Sequence, residues 1–326
     1  MIQGIPYAAR IAVLAQFCAC AFAFQSVSDG PIQVRPRPSI AAPAGQPVLR
    51  VDSSLVLIPV HVTTAEGASV TSLKKEDFML FEDGVKQTIT HFAQDDAPVS
   101  AGLLLDISSS MKNKMDKASQ AASQFFKFAN PEDEFFLIEF NGRAKLKVPF
   151  TRGWAEIAGE IGVARTSGMT AMLDAIHLAV ATMKHAHNSR KALIILSDGG
   201  DNFSRRNLRE LKSTLIEADV QVYAMGVFDN DYSRKHTPEE RNGPRLLDQV
   251  VLDTGGRDYP IGKLEDLPDI GVRIARELRN QYVLGFAPAT SVADGKYHRV
   301  NLQLTPPNAD SALRTYYRQG YYAPGQ

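Results

Sequence analysis

Residues 101–110 read Ala101-Gly102-Leu103-Leu104-Leu105-Asp106-Ile107-Ser108-Ser109-Ser110. The apolar run Ala101–Leu105 is short and ends at an acid, which suits a strand buried on both faces. Met111–Ala129 follows with apolar residues at helical spacing. The alternation then recurs: Glu134–Phe140, Ala192–Leu196 and Val220–Val227 read as strands, and Ala171–Lys184, Asn207–Ala218, Leu246–Asp253 and Leu264–Asn280 as helices. Strands alternating with helices imply right-handed crossovers and an α/β fold with a doubly wound, mostly parallel sheet. Ligands of such sheets sit at the carboxyl ends of the strands, so the polar residues just after each run are the candidates for function.

On either side of this region the rhythm is β only. Val56, Ile58, Val60 and Val62 fall on one face of a strand, with Leu55 and Leu57 on the other. Phe78–Glu82 and Val85–Phe92 flank Asp83-Gly84, a hairpin signal. From Gln281 the pattern returns: Gln281–Ala287, an Asp294-Gly295 turn, Lys296–Leu304 and Leu313–Arg318. Some fifty residues of β structure make a small core. The economical arrangement pairs the tail with the amino-terminal strands in one sandwich-like β module, into which the α/β domain is inserted. Two separate small sheets are the alternative.

The chain of 326 residues has 36 basic and 36 acidic side chains and 44% hydrophobic residues, the balance of an ordinary globular protein. Zero net charge gives no reason to expect nucleic acid or an anionic membrane surface as partner. Arg10 precedes an apolar run, Ile11–Phe24, that contains Ala21-Phe22-Ala23. This is the layout of a secretory signal peptide, too short for an ordinary span, with an uncleaved anchor as the rival. Export to the periplasm or the exterior is expected, without membrane insertion after cleavage. Loss of residues 1–23 leaves 35 basic against 36 acidic residues and no cysteine, because Cys18 and Cys20 lie in the run. Disulfides, a cysteine nucleophile and a thiolate zinc site are thereby excluded from the mature chain. Pro31, Pro36, Pro38, Pro43 and Pro47 mark an extended linker.

Three strand ends carry the chemistry. Asp106, Ser108 and Ser110 alternate where a strand turns into a helix. Thr170 lies in Ser167-Gly168-Met169-Thr170, which opens another helix. Asp198 ends the Ile194–Ser197 run and is followed by Gly199-Gly200. Two carboxylates and three hydroxyls are hard oxygen donors that suit Mg²⁺, or Mn²⁺. Neutral hydroxyls leave the dication at most neutralised and therefore electrophilic, able to accept a carboxylate oxygen from a partner protein in place of water. For Asp106-x-Ser108-x-Ser110 alone, helix capping is the simpler explanation; the ordered combination at three strand ends favours a metal.

Asp106-x-Ser108-x-Ser110, Thr170 and Asp198-Gly199 resemble the metal-ion-dependent adhesion site of the von Willebrand factor type A domain. The flanks, Leu73-x-x-x-Asp77-Phe78, Glu82-Asp83-Gly84, Tyr282-Val283-Leu284-Gly285-Phe286 and Arg318-Gln319-Gly320-Tyr321-Tyr322, are similar to a narrower group, the secreted bacterial VWFA-related proteins. The resemblance implies a six-stranded sheet with one antiparallel edge at Lys145–Phe150, helices on both faces and the metal on top. Together with the leader and linker read from the residues, it divides the chain into a signal peptide (1–23), a linker (24–48), an N-terminal β segment (49–96), the A-type domain (97–280) and a C-terminal β segment (281–326). The resemblance also makes Asp174 a neighbour that steadies the Thr170 loop, with a solvated helix acid as the alternative.

The function expected is an exported, non-enzymatic adhesion protein that captures an acidic group of a protein partner. A Mg²⁺-dependent phosphatase of the haloacid dehalogenase type is the enzymatic alternative, but it needs an acid two residues after the nucleophile, and position 108 is Ser. An envelope scaffold whose metal only orders the domain is the third reading. No G-x-S-x-G, G-x-G-x-x-G or P-loop lysine occurs. His185 and His187, two residues apart, point to different helix faces and read as a solvated helix end. Arg205-Arg206-Asn207-Leu208-Arg209 reads as a solvated face, and the tyrosines at 316, 317, 321 and 322 as strand packing.

Overall fold

The computed structural model describes residues 55–94, 96–228, 237–288, 294–305 and 312–324. The expected signal peptide and linker, and the first residues of the N-terminal β segment, lie outside the described residues. In chain order the strands are β1 (Val56–Thr63), β2 (Phe78–Glu82), β3 (Val85–Gln87), β4 (His91–Gln94), β5 (Val99–Asp106), β6 (Glu134–Phe140), β7 (Ala144–Thr151), β8 (Arg190–Ser197), β9 (Gln221–Val227), β10 (Asp258–Ile261), β11 (Tyr282–Phe286), β12 (Tyr297–Leu304), β13 (Arg314–Tyr317) and β14 (Gly320–Tyr322). The helices are α1 (Met115–Phe126), α2 (Trp154–Val163), α3 (Met172–Met183), α4 (Leu208–Glu217), α5 (Pro238–Arg241), α6 (Gly243–Val251) and α7 (Leu267–Arg279).

The central sheet has the order β10-β9-β8-β5-β6-β7. Its neighbours are parallel except for β7, which runs antiparallel to β6 at the edge, where the resemblance places it. Successive side chains of a strand point to opposite faces, so each buried strand feeds two cores. Leu103 and Leu105 of β5 join α1, α2 and α7 through Phe125, Phe126, Ile157 and Ile274. Leu104 joins α3, α4 and α6 on the other face through Ile176, Leu211 and Leu247. Each aliphatic side chain fully buried in this way contributes about 1.5–3 kcal/mol. Gly102 lies against the Phe136 ring, where a Cβ would come within 2.2 Å of a ring carbon.

The chain leaves β5 through α1 toward β6 and returns through α3 to β8 on the other side. The strand order therefore reverses between β5 and β8, and their carboxyl ends open a crevice. The helix expected from Met111 begins at Met115, because Ser109–Met111 forms a 3-10 turn with Ser108 before it. Asn207 caps α4 as its side chain accepts from the Glu210 amide at 2.9 Å.

The two ends of the chain form two four-stranded antiparallel sheets, β13-β1-β11-β4 and β14-β12-β2-β3. Each sheet mixes strands from both ends, and the sheets share one core that includes Ile58, Val60, Leu80, Tyr282, Phe286 and Leu302. The pairing of tail with amino-terminal strands is thus found, as a two-sheet sandwich into whose chain order the α/β segment is inserted. Asp83 and Gly84 both have positive φ, 48° and 83°, the geometry of a two-residue primed hairpin turn. The second arm is shorter than the pattern predicts. After Gln87 the chain turns a corner through the buried Ile89, and β4 joins the opposite sheet.

Candidate metal centre

Asp106 is the last residue of β5 and Asp198 follows β8, whose parallel register sets Leu105 beside Leu196. Both carboxylates are thereby carried to the same end of the sheet, and both are fully buried. Asp106 accepts from the Ser108 amide at 2.8 Å through one oxygen and from the Ser197 hydroxyl at 2.5 Å through the other. The Ser197 hydroxyl in turn accepts from the Gly199 amide at 3.0 Å. Gly199 has φ +75° and lies so close to Gly243 that a Cβ would stand 2.5 Å from the Gly243 carbonyl oxygen. Glycine at 199 is therefore required both by backbone conformation and by close packing on the start of α6.

The hydroxyls come from two loops that are stitched together. Ser108 is buried and Ser110 half-buried, with their oxygens 3.0 Å apart. The Ser109 amide donates to the Gly168 carbonyl at 3.2 Å and the Ser167 amide to Ile107 at 2.8 Å, so the loop carrying Thr170 lies against the loop carrying the serines. Thr170 is buried, and its backbone is held by Asn202: its amide donates to the Asn202 side chain at 2.9 Å, and its carbonyl accepts from the Asn202 and Phe203 amides.

Burial, and then the charge of Asp198, pushes the Asp106 carboxyl up to about 7 from 3.8, although Ser108 and Ser197 pull the other way. Two buried acids, with the Lys114 ammonium at 3.5 Å from Asp198, carry a charge that an added cation would suit. The spacing of the hydroxyls fits as well. Neighbouring oxygens of an octahedral ion with bonds of ~2.1 Å stand about 3.0 Å apart, the separation of Ser108 and Ser110. Among the described residues no group of three or more His, Cys, Asp or Glu side chains is placed to hold a metal.

The raised Asp106 value has a pH consequence. Between about 4 and 7 the folded, metal-free chain binds more protons at this carboxyl than the unfolded chain does, so stability falls as pH rises through that window. In chelator, urea unfolding of the wild type and Asp106→Asn should therefore diverge in favour of the variant from pH 4.5 to 7.5. A wild type that gains on the variant over that range would contradict the assignment.

Residues 102–200, which include all five candidate ligands, match the von Willebrand factor type A domain family. The chain carries a von Willebrand factor type A domain. Among solved structures, similar ones include the von Willebrand factor type A protein from Catenulispora acidiphila, with 12% identity over 84% of this chain and 74% of that one and a TM-score of 0.48. An aerotolerance-related membrane protein from Bacteroides fragilis NCTC 9343 has 17% identity over 55% of this chain and 98% of that one, with a TM-score of 0.45. The conserved hypothetical protein BatB from Bacteroides thetaiotaomicron has 19% identity over 56% and 100%, with a TM-score of 0.44. No curated protein matches the chain.

Several side chains around the type A domain's site and elsewhere in the fold brace its loops and strands. Ser197 reads as the last residue of a strand, and its bond to Asp106 follows only from the β5–β8 pairing. Asp201 accepts from the Leu173 amide at 2.9 Å and anchors the start of α3. Asp174 accepts from the Arg205 and Arg206 amides, so it braces the loop after Asp198, which in turn holds Thr170. His187 bonds Glu134 at 2.8 Å just after α3, and Tyr321 donates to the buried Glu82. Among the described residues no helix is long and apolar enough to cross a membrane.

Proposed function

We propose that this chain is an exported binding protein whose type A domain holds one divalent ion, Mg²⁺ or Mn²⁺, and uses it to capture a carboxylate of a protein partner. The observation that carries this reading is a pair of buried carboxylates, Asp106 and Asp198, at neighbouring strand ends, with the Ser108 and Ser110 hydroxyls 3.0 Å apart and the loop of the buried Thr170 bonded to the serine loop. These five residues would hold the ion, whose contribution is a positive centre with room for an anionic oxygen. Ser108 and Ser110 fix the spacing of neighbouring ligands, Ser197 and the Ser108 amide orient Asp106, and the Asn202 loop positions Thr170.

The surroundings support binding over turnover. Position 108, where a phosphatase of this layout needs a proton-donating acid, is a serine bonded to another serine. Met169 and Phe203, on the two segments that frame Thr170, are 49% and 51% exposed. Both lie within 4 Å of the point where a Gly142 Cβ would stand, so an apolar patch borders the crevice. Such a rim suits a protein partner.

The test is retention of envelope or medium proteins on the immobilised chain in Mg²⁺ and in chelator, with Asp106→Asn as control. Mg²⁺-dependent retention that the variant loses, and that disappears when one acidic residue of the retained protein is replaced, is the expected result. Retention indifferent to chelator would contradict the reading. Metal binding without any retained partner would favour the scaffold reading.

A further inference from the structure

Lys114 lies just before α1 and is only 6% exposed. Lysines ordinarily keep the ammonium in water and bury only the stem. Here the ammonium turns inward, donating to the Val227 carbonyl at 3.0 Å and reaching Asp198 Oδ2 at 3.5 Å. Val227 ends β9 and Asp198 follows β8, so one side chain from the segment after β5 links three neighbouring strand ends. A buried ammonium is costly unless it is paired, and its acidic partner is one of the proposed metal ligands.

We infer that Lys114 is a resident counter-charge of the metal site, one that holds Asp198 when the ion is absent, competes with it for that carboxylate, and biases the loaded site toward anionic ligands. The inference rests on the metal reading above. Asp106 and Asp198 bring two negative charges and Lys114 one positive. With a dication the sum is positive, whereas without the lysine it would be neutral. Lys114 thus trades affinity for the ion against attraction for a carboxylate. It acts through Asp198 and is a positioning residue.

Calorimetric titration of Mn²⁺ into the wild type, Lys114→Gln and Lys114→Arg tests this. Glutamine removes the charge while keeping a donor for the Val227 carbonyl, and should bind Mn²⁺ about tenfold or more tightly. Arginine keeps the charge and should stay within about threefold of the wild type. In chelator the glutamine variant should melt lower than the wild type, so that the gap between its melting temperatures with and without Mn²⁺ widens. Unchanged or weaker Mn²⁺ binding by the glutamine variant overturns the inference, as does an equal gain in the arginine variant. A wild type that binds no Mn²⁺ overturns the metal reading itself. If Lys114→Gln lacks a cooperative melt, Lys114→Met fills the same space without charge and is held to the same outcomes.

Discussion

Asp106→Asn should abolish Mg²⁺ and Mn²⁺ binding while leaving a protein that melts cooperatively. The carboxylate is fully buried and is one of only two acids in the candidate set, so its loss removes half of the site's negative charge from a place where water cannot compensate. The fold should survive because an amide keeps both local roles. Its oxygen accepts from the Ser108 amide, and its nitrogen donates to the Ser197 hydroxyl, which rotates from donor to acceptor. Removing a buried charge that Asp198 repels also relieves the metal-free state. Calorimetry and a melt in chelator check the two halves together. A variant that still binds the ion would remove Asp106 from the ligand set, whereas a variant that fails to fold would make it a structural acid.

The second large effect is expected far from that crevice, where the inserted sheet meets the sandwich. Glu277 of α7 is buried and accepts from Arg257 at 2.9 Å and from the Tyr259 hydroxyl. His61 of β1 approaches it at 3.7 Å, and burial lowers the His61 pKa from its usual value, a shift that the Glu277 charge opposes. Arg257 also lies over the rings of Tyr259 and Tyr316, at 4.8 and 4.7 Å, so the cluster ties β10 to β13. Glu277→Ala deletes the acceptor for both Arg257 and Tyr259 and leaves a half-buried guanidinium without its carboxylate. Breaking a buried pair in this way costs about 3–5 kcal/mol. Urea unfolding should show that loss; a change below about 1 kcal/mol would mean that the two parts are held by apolar packing alone.

The strand ends were legible because chemistry and periodicity coincide there. Apolar runs too short for helices stop at Asp106 and Ser197, and the hydroxyl residues stand apart from the helical spacing that follows them. Other features depend on neighbours remote in the sequence. β10 is only Asp258–Ile261, with a proline inside, and is a strand because β9 offers a parallel edge. α2 buries only Ile157 and Ile161 in a stretch containing Gly159 and Gly162, so its apolar stripe is a single i, i+4 pair. The break at 88–90 between β3 and β4 is set by which sheet needs each arm, and Lys86-Gln87-Thr88 has no alternation to announce it. No pattern in Lys112-Asn113-Lys114 announces that Lys114 is buried, because β8 and β9 bring Asp198 and Val227 to it.

The most direct test of the central claim is a crystal of the wild-type chain grown in Mn²⁺ and measured at the manganese absorption edge. One anomalous peak should stand about 2.1 Å from the Ser108 and Ser110 hydroxyl oxygens, in the crevice shared by Asp106, Thr170 and Asp198. An anomalous map with no peak among these residues would contradict the assignment.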